Sequence, residues 1–213
     1  MDENLSWVVE KRVERVIKSL EKNNMEAYYV KDENEALKKI KEFLKEGATV
    51  TVGGSKSLFE VGAIEFLKES KYNFLNRYKE GIKNEEREKI YRDAFFADTY
   101  LCSTNAITEA GELYNIDGNG NRVAAMIFGP KEVIIIAGIN KIVKNMEEAQ
   151  ERLKNIAAPA NAKRFKLDTP CAKVGYCMDC NSDSRICSSY TILKKQKEKG
   201  RIKVIIVNKN LGY

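Results

Sequence analysis

The chain has 213 residues, 43% hydrophobic and 32% charged, with 37 Lys+Arg against 31 Asp+Glu and a net charge of +6. That length and balance predict a single globular domain that buries roughly 70% of its unfolded surface, and they exclude long disorder. The chain contains no histidine, which excludes Ser-His-Asp and Cys-His catalysis, imidazole metal ligands and a histidine pH switch, so proton transfer falls to carboxylate, Lys, Tyr, Cys or water and metal binding to thiolate or oxygen.

In chain order, Leu5, Val8, Val9, Val13, Val16, Ile17 and Leu20 form one helical stripe, predicting an N-terminal helix over about residues 4–23. Tyr28–Val30 is a short strand. Asp32 with Glu35 three residues on resembles a helix start, and Gly47 ends that helix. Ala48–Val52 is a buried strand that runs into Gly53-Gly54-Ser55, and a helix over about Ser57–Ser70 follows. Further strands are expected at Tyr72–Leu75, Thr99–Ser103, Leu113–Ile116, Glu132–Ala137 and Ile202–Val207. Further helices are expected at Asn84–Ala97 with Asn84 as the cap, at Val123–Phe128, and at Met146–Asn155. Strands alternating with helices predict an α/β fold: three layers, α/β/α, around a mostly parallel sheet. Residues 1–213 form one domain, with a cysteine-bearing C-terminal segment over about 157–190 that is expected to be irregular.

The run Val133–Ala137 is far too short to span a bilayer, and Asp2-Glu3 does not open a basic-then-apolar leader. A cytoplasmic protein without membrane insertion is expected. Lysines and glutamates alternate along the helices, as over Lys38–Lys45, without the clustered charge and interleaved aromatics of a nucleic-acid surface.

Cys171, Cys177, Cys180 and Cys187 lie in the pattern C-x5-C-x2-C-x6-C. A loop with Pro170, Gly175 and the Cys177-x-x-Cys180 bite can wrap four sulfurs about one centre, as an iron–sulfur cluster or zinc. Lys173 and Arg185 would offset thiolate charge. Small buried thiols and a redox dithiol are the competing readings. The role of Cys102 is left open.

Two turn regions follow strand ends. Gly53, Gly54, Ser55 and Ser57 form a strand–turn–helix junction suited to an anion, or simply a tight turn with a serine cap. Asn105, Glu109, Asp117, Asn119, Asn121 and Arg122 lie in turns that glycine and asparagine also favour for backbone reasons. Arg122 is expected as a carboxylate clamp, Glu109 as the general base or nucleophile, and Lys141 as an anion neutraliser. Glu60 and Asp117 are the other acid–base candidates.

Gly53-Gly54-Ser55…Leu58…Glu60-x-Gly62, the stretch from Ser103-Thr104-Asn105 through Glu109-x-Gly111 to Asp117-Gly118-x-Gly120-Asn121-Arg122-Val123-Ala124, and Phe128-Gly129-Pro130 resemble the LUD-domain family of lactate-utilization proteins. The resemblance extends to Ala158-Pro159-x-Asn161, the cysteine segment and Leu211-Gly212-Tyr213. It implies a fold like that of ribose-5-phosphate isomerase, glucosamine-6-phosphate deaminase and the CoA transferases. It also implies a role in oxidising L-lactate to pyruvate beside iron–sulfur redox subunits, with Gly54, Ser55, Glu60, Asn105, Glu109, Asn121 and Arg122 at the matching positions. Only some members carry the cysteine-bearing tail, which adds a stand-alone redox or metal-dependent role. The expected function is thus binding of a small anionic carboxylate in support of redox metabolism of a 2-hydroxy acid. The alternatives are a non-redox isomerase or transferase with structural zinc, and a regulatory or scaffold subunit. A homo-oligomer is compatible with the sequence.

Overall fold

The computed structural model describes residues 2–213. The Asp2 carboxylate accepts from the backbone N–H of Asn4 and Leu5 and caps α1 (Glu3–Lys22). Val13, Val16 and Leu20 of α1 are fully buried, whereas Leu5 and Val8 are exposed, so the apolar stripe packs only from Val9 onward. There follow β1 (Glu26–Val30), α2 (Glu33–Phe43), β2 (Thr49–Val52), α3 (Lys56–Glu60), α4 (Ala63–Glu69), β3 (Asn73–Leu75), α5 (Asn84–Asp93) and β4 (Thr99–Cys102). The expected helix over 57–70 is two helices, because Gly62 at φ +72° takes the left-handed conformation and breaks the run. Asn84 is the first residue of α5 and makes no cap bond.

The second half comprises β5 (Ala106–Thr108), β6 (Leu113–Asp117), α6 (Asn121–Phe128), β7 (Glu132–Gly138), β8 (Ile142–Val143), α7 (Met146–Arg152), α8 (Ala158–Arg164), α9 (Pro170–Val174), β9 (Ser189–Leu193) and β10 (Ile202–Val207). The segment expected to be irregular therefore contains two short helices, α8 and α9, and ends where β9 begins.

The main sheet has six strands in the order β1-β10-β7-β4-β2-β3, every neighbouring pair parallel. Val133, Ile135 and Ala137 join α1 and α6 in one core, while Ile134 and Ile136 join α2, α3 and α4 in the other. Helices thus cover both faces, which is why the central strands are continuous apolar runs rather than alternating ones.

A second sheet, β8-β5-β6-β9, was not foreseen. β5 and β8 are three and two residues long, too short to show a period. Gly111, at φ +76°, turns the chain between β5 and β6; a Cβ there would stand 2.6 Å from the Ser19 carbonyl carbon of α1. Asn23 ties the same turn to α1 by donating to the Ala110 and Gly111 carbonyls at 2.9 and 3.0 Å. Ala149 of α7, Ala158 of α8 and, from the helical turn that joins them, Leu153 and Ala157 pack against Ala106, Tyr114 and Ile116 of this sheet, which carries the end of β6 over the main sheet. Among the described residues no helix is long and apolar enough to cross a membrane.

Candidate functional site

A cavity of about 260 Å³ opens where the main-sheet strands end, as expected for an open parallel sheet. Gly54–Ser57 reach it from β2, Arg77 from β3, Ser103–Asn105 from β4, Lys141 from β7, and Gly212-Tyr213 from the chain beyond β10. β6 delivers Asp117, the turn through Asn119 and Asn121, and Arg122; α8 delivers Asn161 and Arg164. Five cationic side chains line the wall (Lys56, Arg77, Arg122, Lys141 and Arg164) against the single carboxylate of Asp117. Such a wall favours an anion.

The carboxylate clamp expected of Arg122 has its donors engaged within the protein. Its guanidinium donates to the carbonyls of Ser103 and Ile116 at 2.8 Å each, to Asn115 Oδ1 at 2.7 Å and to Asn105 Oδ1 at 3.1 Å, and Nε stands 3.4 Å from Asp117 Oδ2. It is 9% exposed. The planar fork therefore welds the β4 end to β6 and lends charge to the cavity floor without offering free donors. Asn105 and Asp117 serve the same frame: Asn105 Oδ1 also accepts from the Ile116 N–H at 2.9 Å, and Asp117 Oδ1 from the Gly120 N–H at 3.1 Å.

Lys141 follows β7 and is 3% exposed. Its Nζ donates to Ser103 Oγ at 2.8 Å and to Ser57 Oγ at 3.2 Å. Burial, then the positive charges of Arg152 and Arg122, lower its pKa to about 7, against a smaller opposing pull from Glu60. Arg152 is held behind it by the carbonyls of Asn140 and Asn105 at 3.0 and 2.8 Å. The anion neutraliser of the sequence is thus a buried amine that is half neutral near pH 7.

Ser55 Oγ accepts from the Leu58 N–H at 3.3 Å and so caps α3, which leaves its O–H free to donate at the cavity wall. α3 is only five residues long, and the anion-attracting character expected of its N-terminus comes instead from the cationic side chains of the wall. Arg77 lies about 3.8 Å from where a Gly54 Cβ would be, donates to Tyr91 Oη at 2.7 Å and stacks on the Tyr91 ring at 4.5 Å. Arg164 bonds Asn161 Oδ1 at 2.7 Å and packs over the Phe165 ring at 4.3 Å. Tyr213 lies under Lys56, 5.0 Å from its ring centroid. Gly212, at φ +57°, brings the backbone against Ser57 and donates its N–H to Glu60 Oε2 at 2.7 Å.

Three expected residues stand outside the cavity wall. Gly53 lies beneath it, where a Cβ would meet Tyr100 Oη at 2.8 Å and Arg122 Cγ at 3.0 Å. Glu60 pins the Gly212 segment at the rim. Glu109 faces α1, 2.8 Å from Arg12 Nε and 3.8 Å from Arg15, so its carboxylate ties the small sheet to the first helix and is not the base of this site. Sequence reasoning missed Arg77 and Arg164. Arg77 follows a three-residue strand and Arg164 lies in the stretch read as irregular, so neither carried a local signal.

Cys102 is fully buried in the core, where loss of water pushes its thiol up to about 12; it takes no part in the cavity. Cys171, Cys177, Cys180 and Cys187 are half-buried free thiols. Arg185 bonds the carbonyls of Cys180 and Cys187 at 2.6 and 3.0 Å, and Cys177 and Cys180 lie near enough for their charge to raise the Cys187 thiol, although its burial raises it more. Among the described residues no three Cys, Asp or Glu side chains stand in metal-ligand geometry. The neighbouring Ile186 lines the cavity, so this segment forms part of its wall.

A family model described as the LUD domain matches residues 13–207. No curated protein matches the chain. Among solved structures, a DUF162 family protein from Deinococcus radiodurans is similar over 94% of this chain and 98% of its own, with TM-score 0.51 and 12% identity, a likeness of fold. The eIF2B delta of Chaetomium thermophilum aligns over 56% of this chain and 50% of its own, with TM-score 0.38 and 17% identity. Ribose 5-phosphate isomerase A from Methanocaldococcus jannaschii aligns over 55% of this chain and 56% of its own, with TM-score 0.36 and 17% identity.

Proposed function

The chain belongs to the LUD-domain family, and from that premise we propose that its strand-end cavity binds a small 2-hydroxy acid carboxylate such as lactate and supports its oxidation to the 2-oxo acid. The observation that carries the reading is the cavity wall, with Lys56, three arginines and the partly protonated Lys141 against one carboxylate. Arg77 and Arg164, at the mouth, are the guanidinium groups suited to a carboxylate, because Arg122 has spent its donors on the frame. Lys141 Nζ, between Ser57 and Ser103, is placed to meet the oxygen on C2. The two electrons removed from the substrate would pass to an iron–sulfur redox subunit of a cytoplasmic complex. Calorimetric titration with lactate and pyruvate tests the reading. Replacing Arg77 or Arg164 with Met should weaken binding about tenfold or more, the worth of one charged hydrogen bond. Absence of binding by both the isolated chain and its complex would overturn the proposal.

A second reading concerns the tail. We propose that Cys171, Cys177, Cys180 and Cys187 take up a metal centre beside the cavity, because three of these thiols already fall within electrostatic reach of one another around Arg185. The side chains as placed do not form the centre, so the loop must close on the metal. Protein purified without oxygen should be brown with iron and sulfide, or colourless with zinc. Replacing Cys180 with Ser should release the metal; an anaerobic sample with neither metal nor sulfide would refute the centre.

A further inference from the structure

As a cation that meets the C2 oxygen, Lys141 stands in surroundings poorly suited to keeping its charge. It is 3% exposed while lining the cavity. The charged and titratable groups facing it are Arg122 of α6, Arg152 of α7, Glu60 of α3 and Cys102 of β4, and of these the two arginines disfavour the ammonium. Its hydrogen-bond partners among the described residues are two neutral hydroxyls, Ser103 Oγ at 2.8 Å and Ser57 Oγ at 3.2 Å. Both hydroxyls are fixed, with Ser103 at the end of β4 and Ser57 inside α3, so the amine is held in one place. The C-terminal Gly212 closes over it: a Cβ there would come within 3.5 Å of Nζ. A positioned, dehydrated amine that loses its proton near neutral pH has the properties of a nucleophilic lysine.

We propose that Lys141 captures a 2-oxo acid covalently, its Nζ adding to the C2 carbonyl to form an imine. The inference rests on the reading of the cavity as a carboxylate site and deepens it, because the oxidised form of a 2-hydroxy acid carries this ketone. The Nζ lone pair forms the C2–N bond as the carbonyl π electrons move to oxygen. That oxygen takes up the proton given up by nitrogen, with the Ser103 hydroxyl as the relay. The C2–O bond then breaks, the oxygen leaves as water with a second proton from nitrogen, and the C=N bond forms. Amine and ketone give imine and water, and no electrons are transferred to or from a third party. The acid's carboxylate meanwhile sits on the mouth guanidiniums, Arg77 and Arg164, which orient C2 toward Nζ. Ser57 holds Nζ from the opposite side. A lysine imine at this position would retain the 2-oxo product and acidify its C3 hydrogens.

The test incubates the full chain with pyruvate and sodium cyanoborohydride and maps the peptides by mass. The expected result is one adduct, on Lys141, equal in mass to pyruvate less one water plus two hydrogens. Lactate, which has no ketone, should leave no adduct. Lys141→Gln should abolish trapping, whatever affinity for pyruvate remains in calorimetry. If that variant fails to fold, the peptide map of the unsubstituted chain decides alone. Pyruvate binding without an adduct would overturn the imine and leave the carboxylate reading standing. Neither binding nor adduct would overturn both. Adducts spread over surface lysines, undiminished in the Lys141→Gln protein, would also overturn the imine.

Discussion

Replacing Lys141 with Met should stabilise the protein at neutral pH and remove one arm of its pH dependence. Lys141 is 3% exposed, and burial followed by Arg152 and Arg122 lowers its pKa to about 7. In the unfolded chain the same amine holds its proton to about pH 10.4. Between these values the unfolded state carries a proton that the folded state has released, so wild-type stability rises by about 1.4 kcal/mol per pH unit. This contribution is complete above the unfolded value and lost as pH falls through about 7. Cys102 acts in the opposite sense. Burial pushes its thiol up to about 12, while an unfolded thiol titrates near pH 8.5, so its contribution is full below about 8.5 and declines above. The two slopes offset each other at higher pH, which leaves about pH 7 to 8.5 as the window in which Lys141 acts alone. Across it the wild type should gain about 2 kcal/mol and the Met variant almost nothing. At neutral pH the lysine costs the fold about 5 kcal/mol relative to strongly alkaline conditions. Losing its bonds to Ser57 and Ser103 returns about half of that, so Lys141→Met should be about 2 kcal/mol more stable near pH 7. Urea unfolding of both proteins at each end of the window measures the slopes. Equal slopes would show that Lys141 keeps its proton in the fold, and the account of its burial would fail.

Arg122→Lys should destabilise by about 3–5 kcal/mol in urea unfolding, because an ammonium cannot replace a fork that satisfies Ser103, Ile116, Asn105 and Asn115 together; a loss under about 1 kcal/mol would return Arg122 to the role of ligand clamp. Glu109→Gln should change stability by less than about 1 kcal/mol, since its partner Arg12 and the carboxylate are 35% and 29% exposed. Its affinity for lactate or pyruvate in calorimetry should not change, and a loss of binding would put Glu109 back in the site. Gly212→Ala should cost about 1–2 kcal/mol for the left-handed backbone, and the new methyl against Ser57 Oγ (2.7 Å) should also weaken pyruvate binding. Unchanged affinity there would mean that the C-terminal segment does not shape the cavity.

The main sheet was legible because its strands are buried on both faces. Such strands must be apolar along their whole length, and Glu132–Ala137 shows this without help from any neighbour. The turns after β2 and β4 were legible for a similar local reason, since glycine and small hydroxyl or amide residues mark the place where a strand gives way to a tight turn. The small sheet was not legible. β5 and β8 owe their existence to pairing with β6 and with each other, and nothing within three or two residues announces that. Glu109 was misjudged on the same account: it lies in the motif-rich stretch, but the hairpin carries it to α1 and Arg12.

The sequence by itself determined the fold class, the family, the strand ends around which a site could form, and the absence of imidazole from any chemistry there. These are properties of composition, local period and short motifs, which do not depend on what lies across the cavity. Only the tertiary structure decided the function of each charged side chain. Arg122 and Arg77 are the same residue type, yet one is surrounded by four acceptors and braces the frame, while the other lines the cavity with a single donor engaged, on Tyr91 Oη. The pKa of Lys141 is lowered to about 7 because the chain beyond β7 buries it beneath Gly212, beside the positive charges of Arg152 and Arg122. The reach of a long side chain exceeds the spacing of its neighbours in the chain, so its partners, and with them its charge state, are set by elements brought together from distant parts of the sequence.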